Sequence, residues 1–284
     1  MITPLLEVSD LRVAYPRKGW RREPLEILHG VSIDVRPGET VGLVGESGSG
    51  KTTLGRAILG LAPITGGTIR FGGVDITSAG RSQRRALARD VQVVFQDPYG
   101  SLNPALRIED ILAEPLQVQG VRRDEARARV SELLSMVGLP EDAGSRLPRE
   151  FSGGQRQRVA IARALALRPK LIVCDEPVSA LDLSTQARVL DLFIEIQERT
   201  GVALLFVSHD LAVVRHVSHR VAVMYHGDIV EFGPGDAVTA DPTHAYTRRL
   251  LMAAPVPDPV EQQQRRSERR LLLEAEAQAR IEAA

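Results

Sequence analysis

Apolar positions recur in three different patterns along the 284 residues. Alternation at every second position predicts half-buried strands at 5–15 and 27–35, the second with Val31, Ile33 and Val35 on one side. Unbroken apolar runs predict strands covered on both faces, as in a parallel sheet: TVGLVG at 40–45, LIVC at 171–174 and ALLFVS at 203–208. VQVVF at 91–95 is a further strand, and RVAVMY with DIVEF forms a strand pair late in the chain. Between these, the spacing turns helical. A helix is predicted from Lys51 to Leu61, and VLDLFIEIQER is another. The stretch from about 105 to 166 is helical too, with Ala126, Val130, Leu133, Leu134 and Val137 on one face. Strands alternating with helices predict an α/β fold, interrupted by a helical subdomain at roughly 100–165. PRKGWRREP, between the first two strands, is a basic loop carrying the single Trp, Trp20, and is expected to be a solvated hairpin connection.

Composition narrows the classes. Lys+Arg and Asp+Glu are 36 each, so the formal charge is zero and bulk nucleic-acid binding is not favoured. With 43% hydrophobic and 25% charged residues there is ample material for a core. No apolar run approaches the roughly 18 residues that cross a bilayer. The start, MITPLLEVSD, lacks a basic region and a long apolar stretch, so no secretion signal is expected. One cysteine, Cys174, excludes an intrachain disulfide and any multi-thiolate metal site, and fits a reducing, cytoplasmic location. Lys18, Lys51 and Lys170 are the only lysines, which gives weight to a lysine inside a motif.

The strongest chemical signal is Gly45-Glu46-Ser47-Gly48-Ser49-Gly50-Lys51-Thr52, set after a predicted strand and before a predicted helix. Glycines let successive backbone N–H groups curl inward around phosphate oxygens, and the helix N-terminus adds partial positive charge. Lys51 can reach β- and γ-phosphates, and Thr52 can ligate Mg²⁺. LIVC is followed by Asp175-Glu176-Pro177. An acidic pair at the end of a buried strand lies where ligands bind in α/β sheets. Alone it is a solvated loop start; downstream of a phosphate loop, Asp175 is a metal holder and Glu176 a group that orients or deprotonates water. Phe151-Ser152-Gly153-Gly154-Gln155 precedes an amphipathic helix and is a second anion-type site, weak on its own.

Together these motifs resemble those of ATP-binding-cassette ATPases: Walker A at 45–52, the signature at 151–155 and Walker B at 171–176. Gln96 in VVFQDP matches the Q-loop glutamine, Ser179-Ala180-Leu181-Asp182 the D-loop, and His209 in VSHD the switch histidine. Tyr15 stands where that family has an aromatic against adenine. The resemblance implies a RecA-like P-loop core, an antiparallel β subdomain and a helical signature subdomain over residues 1–255, with a short charged helical tail at 256–284. It implies ATP and Mg²⁺ as ligands. Catalysis falls to Glu176, His209 and Gln96, and metal binding to Thr52, Gln96 and Asp175. ATP contacts fall to Tyr15, Gly45 to Thr53, Ser152, Gly153, Gly154, Gln155 and Asp182. Two chains would sandwich two ATP molecules head to tail, each between the Walker A of one and the signature of the other.

QVVFQDPYGSLNP at 92–104 and THAYTRRLLMAAPVPDP at 243–259 are similar to segments of importer ATPases for oligopeptides, dipeptides and nickel. Ala245 departs from the Pro common there, and the tail departs from the cysteine-containing extension of many relatives. This narrower resemblance implies a second similar or identical ATPase subunit and two transmembrane permeases. It also implies an extracytoplasmic solute-binding protein, a location on the cytoplasmic membrane face, and no nucleic-acid partner. Tyr99 and Leu102 are candidate permease anchors, the alternative being that they pack within the helical subdomain. The competing reading is a soluble ATPase of the same superfamily acting on nucleic acid; no coiled-coil insertion, zinc module or second cassette is visible to favour it.

Overall fold

The unbroken apolar runs lie in the middle of a sheet covered on both sides. The computed structural model describes residues 3–17 and 23–253, with side chains for all of these but 98, 99 and 253. Trp20, the side chain of Tyr99 and the 256–284 tail are outside the described residues. The chain starts with β1 (Leu6–Tyr15) and β2 (Leu25–Val35), then runs through β3 (Thr40–Val44) and α1 (Lys51–Ile58). β4 (Ile64–Phe71), β5 (Val74–Asp75), α2 (Arg81–Leu87) and β6 (Val91–Val94) follow. The helical block holds α3 (Pro98–Ser101), α4 (Ile108–Val118), α5 (Arg123–Met136) and α6 (Gly153–Leu165). Then come β7 (Leu171–Asp175), α7 (Leu183–Thr200), β8 (Ala203–Ser208) and α8 (Leu211–Val217). β9 (Arg220–Tyr225), β10 (Asp228–Pro234), α9 (Gly235–Ala240) and α10 (Ala245–Ala253) complete it.

One sheet is antiparallel, in the order β2-β1-β4-β5; the other is β10-β9-β3-β8-β7-β6. In the second, every neighbouring pair is parallel except β10 with β9. Side chains alternate across a strand, so a strand covered on both faces needs apolar residues at every position. Leu171, Val173, Leu205 and Val207 face a core shared with α1 and the antiparallel sheet. Ile172, Cys174, Leu204 and Phe206 face a core shared with α4, α5, α6 and α7. The helical block therefore has no separate core; it closes one side of the central sheet.

One strand is added and two expectations are redrawn. β4 escapes the alternation rule because Gly66 and Gly67 interrupt it, yet it pairs with β1 through Leu6 opposite Phe71 and Val8 opposite Ile69. α1 stops at Ile58 rather than Leu61, where Leu61 N–H turns back to Arg56 O at 2.7 Å in a Schellman-type closure. Leu102 is 2% exposed and packs inside the helical block, so it is a core residue and presents no surface anchor.

An ion cluster joins the two sheets. The Arg220 guanidinium at the start of β9 donates to Glu39 Oε1 at 2.6 Å and to Asp34 Oδ2, near the end of β2, at 2.7 Å. It also lies 4.6 Å over the Phe232 ring. Hydrogen bonds from Arg220 hold the Asp34 carboxyl below its usual pKa against burial; at Glu39 burial is the largest single influence and raises the pKa, but Arg220 and the Arg36 N–H together outweigh it and the net shift is downward. Replacing Arg220 with Ala strands two carboxylates. The expected cost is roughly 2–4 kcal/mol, short of the full range for a buried pair because Asp34 remains 31% exposed. Depressed carboxyl pKa values stabilise the fold above the ordinary range of about 4, and this contribution is lost as pH falls through the depressed values. Denaturant midpoints of parent and Arg220→Ala should therefore converge at acid pH; a constant gap from pH 7 to pH 2 would contradict this origin.

Candidate functional site

β3 delivers the chain into the loop at 45–50, which must reverse before α1. Gly50 makes the turn at φ 111°, and a Cβ there would stand 2.9 Å from Leu28 Cδ2. The Lys51 side chain then folds back over the loop. Lys51 is 4% exposed, and its ammonium donates to Gly45 O at 2.7 Å and to Glu46 O at 2.8 Å. Burial lowers its pKa, against the opposing pull of the Glu176, Asp175 and Glu46 carboxylates. A compensating anion is what such a desolvated cation attracts. The cavity in front of it, about 380 Å³, is lined by Ser47, Gly48, Gly50, Lys51, Thr52, Thr53, Gln96 and Glu176, together with Ile27. Gly45 contributes its carbonyl and Ser49 is buried within the loop.

Parallel pairing puts the C-terminal ends of β3, β7 and β8 on one edge. Asp175 ends β7 and accepts a hydrogen bond from Thr52 Oγ1 at 3.1 Å. Burial raises its pKa; the Thr52 bond opposes this and the neighbouring Glu176 charge adds to it. Glu176 leaves the strand with φ 48°, a left-handed conformation that costs a non-glycine residue about 1–3 kcal/mol. Its N–H donates to Val207 O at 3.0 Å and its carbonyl accepts from the Ser179 hydroxyl at 3.0 Å. This turn takes the carboxylate off the sheet faces and into the cavity. His209, just past β8, brings Nδ1 to 3.1 Å from Glu176 Oε2. Thr52 and Asp175 are adjacent hard oxygen donors with Gln96 on the same cavity, a set that fits Mg²⁺ completing its shell with phosphate and water. Among the described residues no three His, Cys, Asp or Glu side chains group as metal ligands.

The signature residues are elsewhere. Ser152 caps α6: its Oγ accepts from Gln155 N–H at 3.3 Å, and Gln155 Oε1 accepts from Ser152 N–H at 2.9 Å. Gly153 opens the helix, and at Gly154 a Cβ would meet Thr185 Cγ2 at 2.2 Å, so only glycine lets α6 approach α7 this closely. Ser152, Gly154 and Gln155 line a small cavity of about 100 Å³ that shares no residue with the phosphate-loop cavity. Asp182 caps α7, accepting from Thr185 N–H at 3.0 Å and from the Ser184 hydroxyl at 2.7 Å; these bonds lower its pKa to about 2. Tyr15 pairs with Leu25 and packs on the core of the antiparallel sheet; the apolar wall of the cavity is Ile27, from the alternating pattern of β2. Cys174 is fully buried, and burial pushes its thiol pKa up, which leaves it unreactive. Tyr246, beneath the loop, carried no signal of its own in the sequence. Its hydroxyl accepts from Glu46 N–H at 2.9 Å.

The family model described as ABC transporter matches residues 28–179. The oligopeptide transport ATP-binding protein OppD of Mycobacterium tuberculosis is 54% identical over 230 residues, 81% of this chain and 38% of that protein. The glutathione import ATP-binding protein GsiA of Escherichia coli K12 is 50% identical over 268 residues, 93% of this chain and 43% of its own. The chain thus spans about two fifths of the length of the curated relatives it matches. Among solved structures, cbiO1 from Clostridium perfringens, described as part of the ABC transporter complex cbiONQ, superposes with a TM-score of 0.75 at 27% identity, covering 84% of this chain and 91% of that one. The dimeric ATP-binding cassette MJ0796 bound to ADP and Pi gives 0.71 at 29% identity, covering 81% and 98%. A phosphate loop, a helix opened by paired glycines and an acidic strand end in this order, with a family model matching over half the chain, establish that it belongs to the ABC transporter family.

Proposed function

We propose that this chain is the ATP-hydrolysing subunit of an importer for peptides or a related solute, working at the cytoplasmic face of a membrane against permease subunits. The observation that carries the reading is the division of the site. The phosphate loop, Asp175, Glu176 and His209 gather at one edge, while Ser152, Gly154 and Gln155 face a separate cavity. A second chain, similar or identical, would bring its signature to this chain's phosphate loop and close the nucleotide between them. Leu183, 84% exposed beside Asp182, suits a surface covered by such a partner. The names of OppD and GsiA favour peptide-like cargo, delivered by an extracytoplasmic binding protein. Among the described residues no helix is long and apolar enough to cross a membrane; in this reading translocation falls to the permease subunits.

In this reading the loop N–H groups and Lys51 hold the β- and γ-phosphates. Thr52 and Asp175 hold Mg²⁺, which when bound supplies charge neutralisation at the phosphate oxygens. Glu176 orients or deprotonates the attacking water, and His209, held on Glu176, is poised beside the γ-phosphate. Gln96 lines the same cavity and leads directly into the helical block, so nucleotide occupancy and the position of that block are linked through residues 96–101. A groove of about 780 Å³ between α4 and α5 leaves room there for a permease segment.

Three outcomes are expected. Lys51→Ala loses a charge-assisted contact and should weaken ATP binding roughly 10- to 100-fold by calorimetry; unchanged affinity would remove the phosphate-loop assignment. Glu176→Gln keeps the shape but not the carboxylate, so ATP should still bind while hydrolysis slows about 10²–10⁴-fold; parental turnover would unseat Glu176. Finally, the chain should co-purify with permeases from detergent extracts and drive uptake of a labelled peptide into vesicles. An ATPase that ignores permeases and responds instead to DNA or RNA would transfer the protein to the nucleic-acid class.

A further inference from the structure

The last described helix, α10, reaches back under the phosphate loop. Tyr246 is 2% exposed, and its ring lies on Tyr225 with centroids 4.1 Å apart at 31°. Both belong to a cluster with Val44, Leu211, Val221 and Val223. The entry to α10 is fastened separately. Glu231 on β10 accepts from Thr243 N–H at 2.8 Å and His244 N–H at 3.2 Å, and His244 Nδ1 accepts from Tyr246 N–H at 3.2 Å. Ala245 takes the first helical position, where proline is tolerated but not required.

A trans peptide is planar, with its carbonyl and N–H pointing in opposite directions. In the Gly45–Glu46 peptide, the Gly45 carbonyl accepts from Lys51 Nζ at 2.7 Å and the Glu46 N–H donates to Tyr246 Oη at 2.9 Å. One rigid plane therefore joins α10 to the lysine ammonium. A second tie, from Gly227 N–H to Ser49 O at 2.9 Å, holds the other end of the loop on the β9–β10 turn. Burial raises the Tyr246 pKa, so its oxygen stays a neutral hydroxyl.

We propose that Tyr246 is a positioning residue of the nucleotide site: it sets the plane of the Gly45–Glu46 peptide and, through the Gly45 carbonyl, the resting place of the Lys51 ammonium. The proposal rests on reading the loop as a nucleotide site. It makes ATP affinity depend on the hydroxyl of a residue 200 positions away in sequence.

The test is Tyr246→Phe in the full chain, which keeps the ring and its stacking and removes only the oxygen. Without nucleotide, exchange of the Glu46 amide hydrogen should rise roughly tenfold, as expected for the loss of one hydrogen bond. ATP affinity by calorimetry should fall roughly 3- to 10-fold. The melting temperature should move by no more than about 4 °C. Leu250→Ala is the control, since Leu250 packs on the same cluster but leaves the hydroxyl in place. It should lower the melting temperature and leave Glu46 exchange and ATP affinity at parental values. Parental exchange and affinity in Tyr246→Phe would overturn the proposal. So would an equal loss of affinity in Leu250→Ala, which would make α10 a packing element only. A parent chain that binds no ATP would defeat the nucleotide reading instead, and the Glu46 exchange rates would still decide the brace.

Discussion

Two-sided burial of the parallel strands is the constraint from which the site follows. β3, β7 and β8 can be apolar throughout only if something covers each face; α1 with the antiparallel sheet covers one, while α7 and the helical block cover the other at β7 and β8, and α8 covers it at β3. Each strand then escapes the apolar layers only at its ends. Because the pairing is parallel, the C-terminal ends share an edge, and the polar residues that begin the following loops meet there: Gly45 after β3, Asp175 and Glu176 at β7, His209 after β8. No long-range electrostatic steering is needed to bring Thr52 to Asp175; the strand register does it.

The edge is also where the fold carries its costs. Lys51 is desolvated among carbonyls, Asp175 is buried enough to resist ionisation, and Glu176 stands in left-handed backbone. Phosphate charge would offset the desolvation of Lys51 and a divalent cation that of Asp175, whereas the strain at Glu176 belongs to the turn itself. The Asp34–Arg220–Glu39 cluster sits away from this edge, where it joins the two sheets through a fully paired arginine.

The sequence disclosed the site better than its surroundings. The phosphate loop, LIVCDE and VSHD were legible because backbone curl and strand-end chemistry demand particular residues at fixed spacing. β4 was not, because two glycines erased its alternation. Leu102 stayed open between anchor and core, since a single apolar residue among turn formers carries no period to say which way it points. Tyr15 and Ile27 both pack on the core of the antiparallel sheet, and no pattern along β1 or β2 singles out Ile27 as the one that lines the phosphate-loop cavity. Tyr246 contributes one oxygen across 200 residues of chain, a contact for which no local pattern exists.

The same central sheet dictates what happens while the chain is being made. β3 bonds to β8, with Val41 opposite Leu205, and to β9, with Val41 opposite Arg220. Neither partner has been synthesised when β3 leaves the ribosome. At about 5–20 residues per second, the apolar TVGLV segment waits roughly 10–30 s for its neighbours. Throughout that interval the phosphate loop has no strand register to hold it and α10 does not yet exist to brace it. The nascent chain can first fold its antiparallel sheet, but the nucleotide site can be assembled only after β8, β9 and α10 have been made.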